Sequence, residues 1–168
     1  MISLKSVAGL LVAGLSLCTL SAGARAELPR QPMLSAAVAM KMVNACAELA
    51  TKNHWPMAIA VLDSGDNLKA YLRLDGALMG PADIARGKAS TAVKMGWSSA
   101  DTGDRAFDPK TGVPKGLAFV DGIILFPGGL PIVVDGTLVG GIGVSGSAPQ
   151  NDAACAQAGL DAVKDDLK

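Results

Sequence analysis

The stretch PGGLPIVVDGTLVGGIGVSG, residues 127–146, constrains the fold more than any other part of this sequence. Asp135-Gly136 separates two short apolar runs, and this dipeptide is a strong signal for a two-residue β-hairpin turn. The stretch ends in G-x-G-x-x-G, a spacing that binds dinucleotides when a helix and a second parallel strand follow it. Only one helix fits in the sequence that remains. We therefore interpret the glycines as positions where another backbone or a flat ligand approaches a strand closely.

The rest of the sequence predicts helices that alternate with groups of strands. Apolar residues recur at helical spacing after Ser35, a predicted N-cap, and again over residues 81–95 and 151–167. Apolar runs bounded by turn residues predict five strands, at residues 57–63, 68–74, 120–125, 130–135 and 137–144. This order predicts an α+β fold in which helices pack on a five-stranded antiparallel sheet.

Residues 1–26 are predicted to be a secretory signal peptide. Lys5 precedes an apolar stretch that ends near Leu20, and residues 24–26 read A-R-A, a typical cleavage site. Cleavage would leave residues 27–168 as a single domain. The expected location is the periplasm or the outside of the cell, with no membrane span after cleavage.

The charge balance argues against a nucleic-acid partner. The chain has 15 basic and 15 acidic residues and no basic run, whereas nucleic-acid binding depends on neutralising phosphates. Aromatic residues make up only 4% of the sequence. We expect a core of small and aliphatic side chains.

Two cysteines, Cys46 and Cys155, remain after the predicted cleavage. No C-x-x-C spacing is present for zinc or redox chemistry. Either the two cysteines are small buried hydrophobes, or a disulfide joins the first helix to the last. The sequence leaves both alternatives open.

Four segments, in this order, resemble a known family: VLDSGDNLKAYLRLDGA (61–77), ADIARGKASTA (82–92), PGGLPIVVDGTLVGGIGVSG (127–146) and NDAACAQAGL (151–160). They are similar to the GlcG/HbpS-like haem-binding family, also called the haem-degrading domain, which is related to the C-terminal domain of PduO-type adenosyltransferases. The resemblance implies a profilin-like sheet of five strands and assembly into homo-oligomers. It also implies haem as a possible cofactor, in an exported protein that sequesters, senses or slowly degrades haem or a related tetrapyrrole.

His54 is the only histidine in the chain, so an imidazole ligand to haem iron would have to be this residue. It lies in the predicted connection between the first helix and the first strand, where a solvated histidine is also common. Methionine, threonine, Tyr71 and the two cysteines are other possible ligands, and the sequence does not choose among them.

Arg73 and Lys88 are candidates for binding an anionic group, either a haem propionate or a small carboxylate. Arginine suits bidentate carboxylate recognition, and both residues lie within the segments that resemble the family. Arg86 shares the helix of Lys88. The glycines Gly128, Gly129 and Gly143 would border the same pocket. The alternative interpretation of these cations is ordinary surface ion pairing.

A small organic acid is the alternative ligand, in an enzyme or a binding protein. Arg73, Lys88 and the loop at residues 127–131 would then hold the carboxylate, and Asp63 or Asp75 would move a proton. Asp63 also occupies a turn position where aspartate caps its own backbone, as does Asp135.

A third alternative is an oligomeric interaction module without catalysis. With a single histidine, the sequence supports neither a Ser-His-Asp set nor a metal site of several histidines.

Overall fold

The computed structural model describes residues 28–168, so the predicted signal peptide lies outside the described residues. Within this range the chain forms four α-helices and four β-strands. In chain order these are α1 (Ala36–Lys52), β1 (Ala58–Asp63), β2 (Leu68–Arg73), α2 (Met79–Met95), α3 (Ser99–Ala106), β3 (Gly129–Val134), β4 (Thr137–Ser145) and α4 (Pro149–Ala162). A 3-10 turn at Gly116–Phe119 lies between α3 and β3.

The four strands form one antiparallel sheet in the order β2-β1-β4-β3. The hairpin turn predicted at Asp135-Gly136 is confirmed, since Val134 pairs with Thr137 across it. Asp135 has φ 47° and Gly136 has φ 76°, the two positive values that a type I′ turn requires.

Helices cover both faces of the sheet, which makes the fold α+β as predicted. Helix α1 begins where expected, because the Ser35 hydroxyl accepts a hydrogen bond from the Val38 amide at 3.2 Å. Helices α1 and α4 pack on one face, where Met42 and Ile142 belong to the main core, and α2 packs on the other. None of the helices in the described range is long and apolar enough to cross a membrane.

Two glycines of the G-x-G-x-x-G stretch, Gly141 and Gly143, let α2 lie directly on the backbone of β4. A Cβ atom on Gly143 would overlap the carbonyl oxygen of Ala85 and the amide nitrogen of Ala89, and one on Gly141 would lie 2.7 Å from the Ala89 oxygen. No side chain fits between helix and strand at these positions. The interpretation of these glycines as points of close backbone approach is confirmed.

We predict that Gly143→Ala will lower the free energy of unfolding by about 1–3 kcal/mol, because the methyl group must push α2 away from the sheet. Gly80→Ala is the matched control, since Gly80 lies in α2 with no atom within 4 Å of its would-be Cβ. That control should be neutral or up to about 1 kcal/mol more stable. Urea unfolding of both variants tests the prediction, which would be wrong if the two midpoints moved together.

The strand predicted at residues 120–125 is not formed, and the sheet of the described chain has four strands instead of five. Gly122 has φ +74°, which interrupts an extended run. The amide of Ile124 donates to the Thr91 hydroxyl at 2.8 Å, and its side chain fills the space beside Gly87. Ile124 therefore packs on α2 outside the sheet, and Val120 at the start of the segment is exposed.

A disulfide bond joins Cys46 of α1 to Cys155 of α4, with a Cα–Cα distance of 4.8 Å. Both residues are fully buried in the main core. Of the two alternatives for these cysteines, the structure shows the disulfide. The bond fixes the first helix to the last across 109 residues of sequence.

Candidate ligand-binding site

His54 lies in the connection between α1 and β1, as predicted, and its side chain is exposed. Its backbone is left-handed, with φ 56°, and its amide donates to the Thr51 carbonyl at 3.2 Å. This conformation is uncommon outside glycine, although asparagine, aspartate and histidine adopt it more often than other residues. The tight turn fixes the backbone of His54 at the end of α1.

The imidazole borders an open groove of about 360 Å³ between the end of α1 and the turn after β2. The groove is lined by Ala50, Thr51, His54, Trp55, Pro56, Leu74 and Asp75. Most of these side chains are apolar, and Asp75, a predicted candidate for proton transfer, is the only carboxylate among them. The groove thus combines one imidazole with an apolar wall, an arrangement that suits a largely apolar ligand with one coordinating atom.

Lys88 lies elsewhere, in the interior of the protein. Its side chain is fully buried, and its Nζ atom is 2.7 Å from Oδ2 of Asp152 in α4. The ammonium group also donates to the Val144 carbonyl at 2.9 Å and lies 4.6 Å from the centre of the Phe126 ring. The second oxygen of Asp152 accepts from the Ser147 amide at 3.1 Å. This ion pair connects α2, β4 and α4.

Burial opposes the charge on both members of this pair. Loss of hydration lowers the pKa of Lys88, and the hydrogen bond and charge of Asp152 oppose that change. Loss of hydration likewise raises the pKa of Asp152, and Lys88 opposes it. Each charge therefore depends on its partner, and the Lys88 ammonium is already engaged inside the protein.

Gly128 and Gly129 are brought next to Lys88, as predicted, but as parts of the packed interior. A Cβ on Gly128 would lie 2.7 Å from the Lys88 Nζ. The amide of Gly129 donates to the Ser99 hydroxyl at 2.9 Å, and that hydroxyl donates to the Phe126 carbonyl at 2.7 Å. The Gly129 amide is thus satisfied within the protein. Gly143, described above, packs against the same helix, α2.

Arg73 does not converge with Lys88. It lies on the edge strand β2, and its guanidinium donates to the Ala77 carbonyl at the turn that follows. Lys88 instead contacts β4, on the other side of β1. The two cations therefore have separate partners, and Arg86 is exposed on α2.

Asp63 caps the turn between β1 and β2. One of its oxygens accepts hydrogen bonds from the amides of Asn67 at 3.0 Å and Gly65 at 2.9 Å. These hydrogen bonds hold the pKa of Asp63 below its ordinary value, and the bond from the Asn67 amide has the largest effect. Asp63 and Asp135 both lie at turns, as expected from the alternative interpretation that each caps a turn.

Asp152, the partner of Lys88, is the residue that sequence reasoning missed. A lysine within the alanine-rich face of α2 signals that a buried carboxylate must lie opposite, because buried charges are almost always paired. The sequence offers many carboxylates and does not identify which one. Within residues 28–168, no cluster of three or more His, Cys, Asp or Glu side chains is placed to hold a metal ion.

The fold and the groove define a small α+β domain with helices on both faces of an antiparallel sheet and one histidine at an apolar groove. The chain belongs to the family described as haem degrading protein HbpS-like, whose sequence model matches residues 34–161. The resemblance noted from the sequence is thereby confirmed.

Individual relatives agree with this assignment. GlcG of Escherichia coli strain K12 is 35% identical over 115 residues, which span 67% of this chain and 81% of GlcG. The crystal structure of protein ORFY from Klebsiella pneumoniae matches with a TM-score of 0.74 and 28% identity, over 82% of this chain and 96% of that one. The crystal structure of a PduOC haem complex matches with a TM-score of 0.71 and 28% identity, over 78% and 95% of the two chains.

Proposed function

We propose that this protein is an exported haem-binding protein and that haem binds at the groove beside His54. The observation that carries the proposal is that the only histidine of the chain lines an apolar groove. Support comes from the family of the chain and from the haem complex of a structural relative.

The residues of the groove fit haem in two respects. An imidazole is a common axial ligand of haem iron, and Trp55 and Leu74 provide apolar contact for a macrocycle. The charged groups would set its orientation, because Asp75 repels a propionate and Lys52, exposed at the end of α1, attracts one. When bound, haem would supply an iron centre and the protein would supply its ligand and its surroundings.

Sequestration is the form of this function that the groove favours. Besides His54, the polar side chains that line the groove are those of Thr51 and Asp75. A role in binding haem is enough to explain all three. A site for a small organic acid receives less support, because the ammonium group of Lys88 is already paired with Asp152.

Export is supported by two observations. The first 26 residues have the pattern of a signal peptide. The Cys46–Cys155 disulfide is of the kind that persists in oxidising compartments such as the periplasm.

Titration of residues 27–168 with haemin, followed by absorbance, tests the proposal. We expect a saturable Soret shift for the unmodified protein and, for His54→Asn, an affinity at least about tenfold lower with a different Soret maximum. Asparagine is chosen because it tolerates the left-handed backbone of His54, so the imidazole is removed without strain.

Gln157→Ala, an exposed change on α4, is the control and should titrate like the unmodified protein. An unchanged titration of His54→Asn would exclude this histidine as the ligand. A response of the unmodified protein that does not saturate would argue against haem binding itself.

A further inference from the structure

Two turns of the backbone border the groove beside His54. The first turn ends α1 and carries His54 and Trp55. The second turn follows β2 and carries Leu74 and Asp75. Because these four residues all line the groove, its shape depends on what holds each turn in place.

Backbone hydrogen bonds hold the first turn. The Trp55 amide donates to the Ala50 carbonyl at 2.9 Å. The His54 amide donates to the Thr51 carbonyl at 3.2 Å. With His54 in the left-handed conformation, these two bonds form a Schellman motif, a common way for a helix to end. This part of the groove is therefore an extension of α1.

The second turn runs from Leu74 to Ala77. The Ala77 amide donates to the Leu74 carbonyl at 3.1 Å, and Gly76 has φ 80°, the positive value that a type II turn requires at its third residue. The Leu74 amide donates to the carbonyl of Met57, the residue before β1, at 2.9 Å. The backbone of this turn is thus attached to the sheet at its first residue.

The side chain of Arg73 holds the other end of the second turn. Its guanidinium donates to the carbonyl of Ala77, a residue that is only 3% exposed. Arg73 is the last residue of β2 and pairs with Ala58 of β1, so the sheet fixes its backbone. A hydrogen bond from a charged donor is stronger than one between neutral groups. Arg73 therefore connects the end of the strand to the last residue of the turn.

We propose that Arg73 is a positioning residue of the groove, which holds Leu74 and Asp75 in place through its hydrogen bond to Ala77. This inference rests on the proposed function for the identity of the ligand, haem. It differs from the direct contact with an anionic group that the sequence predicts for Arg73, because here the guanidinium acts through the turn. A wall that is ordered before binding does not have to be ordered by the ligand, and this increases the affinity.

Amide hydrogen exchange in the absence of haem tests the hold on the turn. In Arg73→Met, which removes the hydrogen-bond donors, the Ala77 amide should exchange at least about tenfold faster. The Trp55 amide of the first turn should keep its rate, because the effect is local. Arg73→Lys retains a charged donor and should restore slow exchange at Ala77. Arg30→Met, an exposed change before α1, is the matched control and should alter neither rate.

Haemin titration of the same variants tests the effect on binding. We expect the affinity of Arg73→Met to be at least about fivefold lower, because the ligand must then order the turn. The Soret maximum of its complex should equal that of the unmodified protein, since His54 is still present. Loss of an iron ligand would shift this maximum. Arg73→Lys should recover most of the affinity, and Arg30→Met should titrate like the unmodified protein.

The two measurements together decide the proposal. Unchanged exchange at Ala77 in Arg73→Met would overturn it, and a lower haem affinity in that case would indicate that Arg73 contacts the ligand directly. Faster exchange with an unchanged affinity would also overturn it, because the turn would then have no influence on the ligand. If the unmodified protein does not bind haem, the proposed function fails, and the exchange at Ala77 still decides whether Arg73 holds the turn.

Discussion

Lys88→Ala is expected to lower the free energy of unfolding by about 3–5 kcal/mol, because it leaves the Asp152 carboxylate buried without its counter-charge. Both side chains of this pair are almost fully inaccessible, at 0% and 2% exposed, so water cannot replace the missing ammonium. The Val144 carbonyl would lose a hydrogen-bond donor in the same variant. We therefore expect the loss of one partner to destabilise the fold far more than the replacement of both partners by apolar side chains.

The double variant Lys88→Met with Asp152→Leu separates these two effects. Apolar side chains of similar size leave no buried charge, so the double variant should be far more stable than Lys88→Ala and close to the unmodified protein. Lys41→Ala removes an exposed ion pair of similar length, 2.8 Å to Asp166, and should cost at most about 1 kcal/mol. Guanidinium unfolding of the four proteins gives the comparison. Equal losses for Lys88→Ala and Lys41→Ala would refute the role of the buried pair.

Reduction of the Cys46–Cys155 bond is expected to lower the free energy of unfolding by about 2–5 kcal/mol. The bond closes a loop of 109 residues, and a long loop has more freedom to regain in the unfolded chain when it is opened. Guanidinium unfolding with and without a reductant measures the difference. A thiol count on denatured, unreduced protein spanning residues 27–168 should find none, and a count after reduction should find two.

The variant that replaces both cysteines with alanine is the control for this experiment. Its unfolding should be insensitive to reductant, and its midpoint should lie near or below that of the reduced protein, because two buried sulfur atoms are also lost. Two free thiols in the unreduced protein would show that the bond does not form. That result would also remove one of the two supports for export.

Local signals predicted most of the fold. The Ser35 cap, the Asp135-Gly136 turn and the close approach at Gly141 and Gly143 all follow from short stretches of sequence, and the structure contains each of them. The strand at residues 120–125 was wrong because a short apolar run looks the same whether it joins a sheet or packs on a helix. A tertiary contact holds the segment on α2, because the Thr91 hydroxyl accepts a hydrogen bond from the Ile124 amide.

The candidate site was less predictable than the fold. The place of His54 between a helix and a strand was visible in the sequence, but the groove also needs Leu74 and Asp75, which arrive through the pairing of β2 with β1. Lys88 was predicted to bind an anionic ligand, but its partner is Asp152, which is 64 residues further along the chain. Contacts between residues far apart in the chain produce no local sequence pattern from which they could be predicted.

The disulfide between the first and last helices also determines how the domain bears a mechanical load. A pull on the two chain ends passes from α1 to α4 through a covalent bond, so the chain between Cys46 and Cys155 is not under tension. The whole sheet, the groove beside His54 and the Lys88 ion pair lie within that span. Stretching would act directly only on the segments outside it, which include the core residues Met42 and Val163, and the chain between the two cysteines would bear the load only after the bond is reduced.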